Sequence, residues 1–173
     1  MDLAGKLRHV LDFPTPGIDF IDITTLLQDA EAFREAVDAM CDAAGRFGAF
    51  DCVVSPEARG FIFGAPLALR LGKGFAPARK AGKLPYDTIW QEYELEYGLA
   101  KIEMHRDAVA PGSSALIVDD LLATGGTGLA IARLVEKMGG TVVGFLSFVE
   151  LSYLGGCAQF GDYRCESVLK IWK

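Results

Sequence analysis

The chain has 173 residues, 17 basic and 23 acidic side chains and a net charge of −6; 51% of its residues are hydrophobic and 23% charged. That length and apolar content predict a single domain with a core that needs no metal or disulfide, and they exclude a disordered chain. The acidic balance argues against non-specific nucleic-acid binding, which draws on a basic surface, but leaves room for a local basic site for an anionic small molecule.

Leu3, Leu7, Val10 and Leu11 recur at helical spacing and predict a short first helix, stopped by Phe13-Pro14-Thr15-Pro16-Gly17. Asp29 suits an N-cap and Glu31 the first turn of a second helix, whose apolar face is Phe33, Val37, Met40, Cys41 and Ala44. Cys52 to Ser55 reads as a short buried strand halted by Pro56, and Gly60 to Leu71 as an apolar helix stopped by Gly72. Phe75 to Arg79 is another short strand, followed by a polar loop from Arg79 to Tyr86. From Thr88 to Met104 the pattern alternates, Tyr93, Leu95 and Tyr97 against Glu92, Glu94 and Glu96, which predicts a half-exposed hairpin turning near Gly98. Ala115 to Val118 has no exposed face, as expected of a central parallel strand. A helix over Gly128 to Met138, a long apolar strand over Thr141 to Val149 and a last strand near Val168 complete the pattern.

Strands alternating with helices predict an α/β fold with a central, mostly parallel sheet flanked by helices, the glutamate-rich hairpin standing out as a flap. The N-terminus carries no apolar leader core, and no apolar stretch reaches the roughly 20 residues that span a bilayer. Cys41, Cys52, Cys157 and Cys165 include no C-x-x-C pair and are expected to be reduced thiols of a cytoplasmic protein. With two histidines in the chain, a His/Cys zinc site is not expected.

The most informative stretch runs from Leu116 to Thr127: a buried strand, two acids at its carboxyl end, then Ala123-Thr124-Gly125-Gly126-Thr127 opening a helix. Ligands of open α/β sheets bind at the carboxyl ends of strands. Gly125 and Gly126 allow a tight turn and close approach, and loop N–H groups with the helix dipole suit a phosphate. Thr124 and Thr127 add hydroxyls. Asp119 and Asp120 repel phosphate but suit either accepting from ribose hydroxyls or helping to place a hydrated cation, and a ligand with a phosphate near a diol fits. The stretch matches neither a Walker loop nor a dinucleotide fingerprint.

Val118-Asp119-Asp120 with Ala123 to Thr127 resembles the phosphoribosyl diphosphate (PRPP) motif of the type I phosphoribosyltransferases. Phe13-Pro14-Thr15-Pro16-Gly17-Ile18, Ala58 to Gly64, Arg79 to Pro85 and Leu95-Glu96-Tyr97-Gly98 narrow the resemblance to the adenine phosphoribosyltransferase family, in that family's order and spacing. The resemblance implies the type I fold, with a small hood over about residues 10–28 and a hairpin flap over about 80–106. It implies transfer of the phosphoribosyl group of PRPP to adenine, giving AMP and pyrophosphate in purine salvage. Magnesium would be carried by PRPP oxygens, with no direct protein ligand, and a homodimer is implied.

By the same resemblance, Ala123, Thr124, Gly125, Gly126 and Thr127 hold the 5′-phosphate and Asp119 and Asp120 the ribose. Arg59, Arg79, Lys80 and Lys83 serve pyrophosphate. Asp19, Phe20, Ile21 and Arg59 serve adenine, and Glu96 is the catalytic carboxylate beside the purine. Two positions depart from the family pattern: Ile21 replaces an arginine after the hood phenylalanine, and Ala58 replaces a serine before Arg59. Two other readings stay open: a phosphoribosyltransferase for xanthine or hypoxanthine, and a non-catalytic PRPP-binding regulator. Neither membrane nor nucleic acid is an expected partner.

Overall fold

The computed structural model describes residues 1–95 and 98–172, in two compact units, Met1–Ala39 and Met40–Lys173. No helix among the described residues is long and apolar enough to cross a membrane.

The first unit opens on a 3-10 turn, Ala4–Lys6, and an antiparallel pair, β1 (Arg8–Leu11) with β2 (Asp19–Asp22), in which Val10 faces Phe20. The expected first helix is therefore replaced by a turn and a strand. Four apolar positions in nine residues do not separate a period of 3.6 from a strand that has found a partner. The Pro-rich segment that would stop a helix instead connects two strands, closed by Gly17 N–H donating to Asp12 Oδ1 at 2.7 Å. Asp22 anchors the end of β2: it accepts from Thr24 and from Arg8, and these bonds hold its carboxyl down at about 2. Its folded pKa lies below the unfolded one, so the stability it contributes is present above about pH 3.9. That contribution is lost as pH falls through about 2.

A short helix α1 (Thr24–Leu27) precedes α2 (Ala30–Ala44). Asp29 caps α2 as expected, Oδ1 accepting from the N–H groups of Glu31 and Ala32 at 3.1 Å each while Oδ2 pairs with Lys6 at 2.7 Å. Asp29→Ala is expected to lower Tm by about 2–4 °C, the usual effect of losing a cap, with catalytic constants unchanged. A thermal melt alongside steady-state rates checks this.

The second unit holds a seven-stranded sheet in the order β5-β6-β4-β3-β7-β8-β9. Its parallel centre is β3 (Cys52–Pro56), β4 (Gly74–Lys80), β7 (Ser114–Leu122), β8 (Thr141–Leu151) and β9 (Cys165–Ile171). The hairpin β5 (Thr88–Leu95) and β6 (Gly98–His105) joins it antiparallel through Arg79↔Glu103 and Lys80↔Ile102. Helices α3 (Arg59–Arg70) and α4 (Gly126–Lys137) cover opposite faces, because neighbouring strand residues point to opposite sides. Ser55 meets α3 at Gly64, whereas Val54 joins the buried cluster of Ile117, Ile131, Leu134 and Phe145 on the α4 side. Phe63 stacks on Phe148 in one layer and Phe160 on Phe145 in the other.

One expectation fails in the tail. Cys157 and Cys165 form a disulfide, and Cys41 and Cys52 lie outside it. The residues between them fold as a 3-10 turn (Gly156–Phe160) that doubles back into β9, bringing the two Cα atoms to 5.6 Å. A separation of eight residues does not reveal that return. The Phe13–Pro14 and Glu57–Ala58 peptide bonds are cis.

Candidate active site

The carboxyl ends of β3, β4 and β7 surround a cleft of about 280 Å³ within the second unit. It is lined by Asp119 to Leu122, by Ala123 to Gly128, and by Pro56 to Gly60 with Ala78 and Lys80. Tyr93, Lys101 and Ile102 reach it from the hairpin. Strand β7 delivers its two acids there because its apolar run, Ala115 to Val118, is wholly buried and fixes the strand, which carries Asp119 and Asp120 near its end, before the chain bends at Ala123.

Gly125 makes that turn. It caps α4 in the left-handed region, φ +88°, where a side chain is strained. The first-turn N–H groups of α4 lack intrahelical acceptors and point, with the helix dipole, at whatever occupies the turn. Exposed Thr124 and half-buried Thr127 flank it. Beneath the turn lies Gly156: a Cβ there would stand 2.2 Å from the Ala123 carbonyl oxygen.

The acid pair is asymmetric. Asp120 is buried and faces Arg59, Nε to Oδ2 3.1 Å, while Asp119 is half-buried and accepts the Asp120 N–H at 2.8 Å. Loss of hydration at the floor of the cleft pushes the Asp119 carboxyl well up, and the neighbouring Asp120 charge adds to this. Burial raises Asp120 as well, opposed by the Arg59 guanidinium. Arg59 opens α3, a poor place for a cation in dipole terms, and Asp120 offsets that misplacement.

The expected site residues divide into four groups. Arg59, Lys80, Asp119, Asp120 and Ala123 to Thr127 line one cleft. Arg79 and Lys83 are absent from its lining: the Arg79 guanidinium donates to Glu57 and to the Lys83 carbonyl, and Lys83 N–H donates to Glu103. Asp19, Phe20 and Ile21 lie in β2 of the first unit, where Asp19 pairs with His9 at 2.7 Å, Phe20 meets Phe13 edge-on and Ile21 is buried. Glu96 lies outside the described residues.

Sequence reasoning missed Glu57, Glu103, Tyr93, Lys101 and Phe145. Glu57 sits two residues before Arg59, so an acid beside a cleft arginine was a usable signal. Lys101 and Glu103 share one face of an alternating strand, which reads as a wet surface until β6 docks on β4.

A glycine-bearing turn at a helix start, an acid pair close to it and the basic groups Arg59 and Lys80 line one cleft, an arrangement that suits an anionic ligand bearing hydroxyls. The comparisons with known proteins agree: the family described as the phosphoribosyl transferase domain matches residues 25–173. The adenine phosphoribosyltransferase of Ruminiclostridium cellulolyticum is 58% identical over 170 residues, which is 98% of this chain and 99% of that one. The crystal structure of the Thermoanaerobacter pseudethanolicus adenine phosphoribosyltransferase matches with a TM-score of 0.94 at 48% identity, covering 98% of each chain. That of Saccharomyces cerevisiae, complexed with an imino-altritol bisphosphate and adenine, matches with a TM-score of 0.91 at 36% identity, covering 97% of each. The chain belongs to the adenine phosphoribosyltransferase family.

Proposed function

We infer that this chain is a pentosyltransferase that moves the 5-phosphoribosyl group of PRPP to adenine, forming AMP and releasing pyrophosphate, a purine-salvage reaction. The observation that carries the reading is the Asp119–Asp120 pair running directly into the Ala123 to Thr127 turn at the head of α4, in a chain that aligns almost end to end with adenine phosphoribosyltransferases.

In this reaction the bond from the ribose anomeric carbon to the diphosphate oxygen breaks, and the bond to the adenine ring nitrogen forms. Positive charge develops on the ribose between them. The turn fixes the 5′-phosphate and the acid pair fixes the ribose hydroxyls, so the anomeric carbon is held in place before it reacts. The carboxylates lie near the developing charge in a poorly hydrated floor, where fixed charges act more strongly than in water. Arg59 and Lys80, across the cleft, receive the departing diphosphate. Arg79 and Lys83 belong to the turn beside them.

Adenine recognition is assigned to Asp19, Phe20 and Ile21 on the strength of the family motif. Within the first unit, Asp19 Oδ1 is buried without a hydrogen-bond partner. Main-chain groups of Asp19 to Ile21 are proposed to read the edge of the base, and an acceptor there for the adenine amino group would be left unpaired against a 6-oxo purine. Ile21 is buried, so whatever it offers a ligand comes from its main chain. Glu96 is proposed, from its motif, to accept or stabilise the proton that the base gives up.

Magnesium is proposed to arrive with PRPP and to neutralise part of the diphosphate charge. The residues at the cleft floor fit this, since Asp120 is already engaged by Arg59 and leaves the charge of the diphosphate to hold the ion. A homodimer is proposed from the family resemblance. Cytoplasmic residence is supported by the substrate, since a multiply charged phosphate ester does not cross a bilayer unaided. The Cys157–Cys165 disulfide withdraws the thiol argument for that compartment.

A panel of bases with PRPP and magnesium tests the reading. Adenine is expected to exceed hypoxanthine and guanine in kcat/KM by about 10²-fold or more. Comparable values would point to another purine, and no nucleotide with any base would point to a PRPP-binding regulator.

A further inference from the structure

We propose that Glu103 is a positioning residue for the pyrophosphate side of the cleft: its buried carboxylate holds the turn after β4 in the shape that presents Lys80 to the ligand. The proposal rests on the phosphoribosyl-transfer reading and adds to it a residue outside the lining of the cleft.

Glu103 lies on β6 opposite Arg79 and is 6% exposed. A carboxylate at that depth is costly unless hydrogen bonds replace its water. Here a single oxygen, Oε1, accepts from two consecutive main-chain N–H groups, Lys83 and Leu84, at 3.1 Å each. Consecutive N–H groups aimed at one anionic oxygen fix the direction of the chain between them.

Other contacts close the same turn. Arg79 Nη1 donates to the Lys83 carbonyl at 3.1 Å, and Ala81 N–H donates to the Lys101 carbonyl at 3.3 Å. Glu57 receives the Arg79 guanidinium on one oxygen and the Lys80 N–H on the other, the latter at 3.1 Å. Glu57 also donates its own N–H to the Ala78 carbonyl at 2.8 Å. Two carboxylates thus clamp the segment from Arg79 to Leu84 from its two sides. Glu57 fixes its start, next to Ala58 and Arg59, and Glu103 fixes its end.

Lys80, held within this clamp, lines the cleft, and Lys101, two residues before Glu103, lines it from the same strand as Glu103. A small displacement of the turn therefore moves Lys80, and slackening at Glu103 also loosens the pairing that holds β6 to β4. The acid pair and the phosphate turn stand on β7 and α4, are not part of this clamp, and keep their geometry when it loosens. The ligand group that feels Glu103 is the diphosphate of PRPP, or free pyrophosphate in the reverse direction.

The experiment compares wild type, Glu103→Ala and Glu103→Gln in both directions, with magnesium. Glu103→Ala is expected to raise KM for PRPP and for pyrophosphate by about 10-fold, the effect of leaving buried N–H groups without an acceptor. KM for adenine and for AMP should stay within about 2-fold of wild type, since neither ligand uses the clamp. Glu103→Gln keeps an oxygen that accepts both N–H groups, and should recover KM for PRPP to within about 3-fold of wild type. Hydrogen exchange at the Lys83 and Leu84 amides should accelerate in the alanine variant and not in the glutamine variant. Should Glu103→Ala fail to fold, Glu103→Asp carries the test, because the shorter side chain withdraws the oxygen and should give the same split between KM values. Unchanged KM for PRPP and pyrophosphate in a folded variant, or equal losses for all four ligands, would overturn the proposal. Wild type failing to make AMP would instead remove the functional reading on which it rests.

Discussion

Asp119→Asn is expected to raise the melting temperature of the ligand-free protein while lowering its kcat/KM for PRPP by about 10²-fold, the scale of one or two lost charge-assisted hydrogen bonds. The two changes share one cause. Asp119 sits at the floor of the cleft beside a second carboxylate, and its carboxyl is pushed well above the usual range by lost hydration and then by Asp120. The asparagine is close to isosteric and keeps an oxygen to accept the Asp120 N–H. What disappears is a carboxylate that the fold holds in an unfavourable place, the one proposed above to bind the ribose. Activity-bearing sites commonly carry this kind of cost. The sign follows from linkage. With a folded pKa above the unfolded one, the stability given by the protonated form is complete below about pH 3.9 and is lost as pH rises through the folded value. The gain in Tm on substitution, about 2–4 °C at neutral pH, should therefore shrink as pH is lowered toward 4. PRPP affinity of the wild type should rise with pH over the range in which Asp119 ionises. Melts of both proteins across pH, with kinetics at neutral pH, decide it. A lower Tm for the variant at every pH would show that Asp119 supports the fold.

Much of this arrangement was legible in the residue order, and the limits have physical causes. Strands β7 and β8 read clearly because both of their faces are buried, which leaves an uninterrupted apolar run that few other environments tolerate. The phosphate turn read clearly because two acids, two glycines and two threonines in succession serve no packing purpose. Strand β1 misread as helix, since four residues are too few to carry a period and its partner β2 is ten residues away across a proline-rich turn. The role of Arg79 was hidden for a different reason. Its composition marks a loop cation, but its partner Glu57 stands 22 residues earlier and is brought alongside by the parallel register of β3 with β4, Pro56 beside Ala78. Glu103 looked like one more solvated glutamate of an alternating strand until the base of the hairpin was docked into the sheet. Contacts of that kind depend on strand order, and strand order is a property of the whole chain.

The part of the site that the sequence concealed most fully carries the second large expected effect. Gly156→Ala should weaken binding of the 5′-phosphate by about 10-fold or more and lower Tm, because its Cβ would press on main chain rather than on a yielding side chain. The added atom would lie 2.2 Å from the Ala123 carbonyl oxygen and 3.0 Å from its carbon, and Leu122 stands next to it at 3.1 Å. From the other side, the space at Gly125 is closed by the Gly156 carbonyl oxygen at 3.0 Å and by Phe160 at 3.2 Å. The turn proposed to hold the phosphate and the Gly156–Phe160 segment are thus packed backbone on backbone. Phe160, stacked on Phe145, and the Cys157–Cys165 disulfide pin the segment from beneath. Relief must then come from the Ala123 to Gly125 side, which tilts the turn N–H groups away from the phosphate. Overpacking of this kind costs about 1–3 kcal/mol, or about 2–4 °C of Tm per kcal/mol for a chain of this size. Calorimetric titration with AMP and with adenosine separates the two consequences. The variant should lose affinity for AMP and keep its affinity for adenosine, which has no phosphate to place. Gly45→Ala, where an added Cβ meets nothing within 4 Å, serves as the neutral control. Equal losses for both ligands would mean that the whole cleft had deformed, and AMP affinity preserved alongside a lower Tm would leave the Gly156–Phe160 segment a support for the fold with no hold on the phosphate turn.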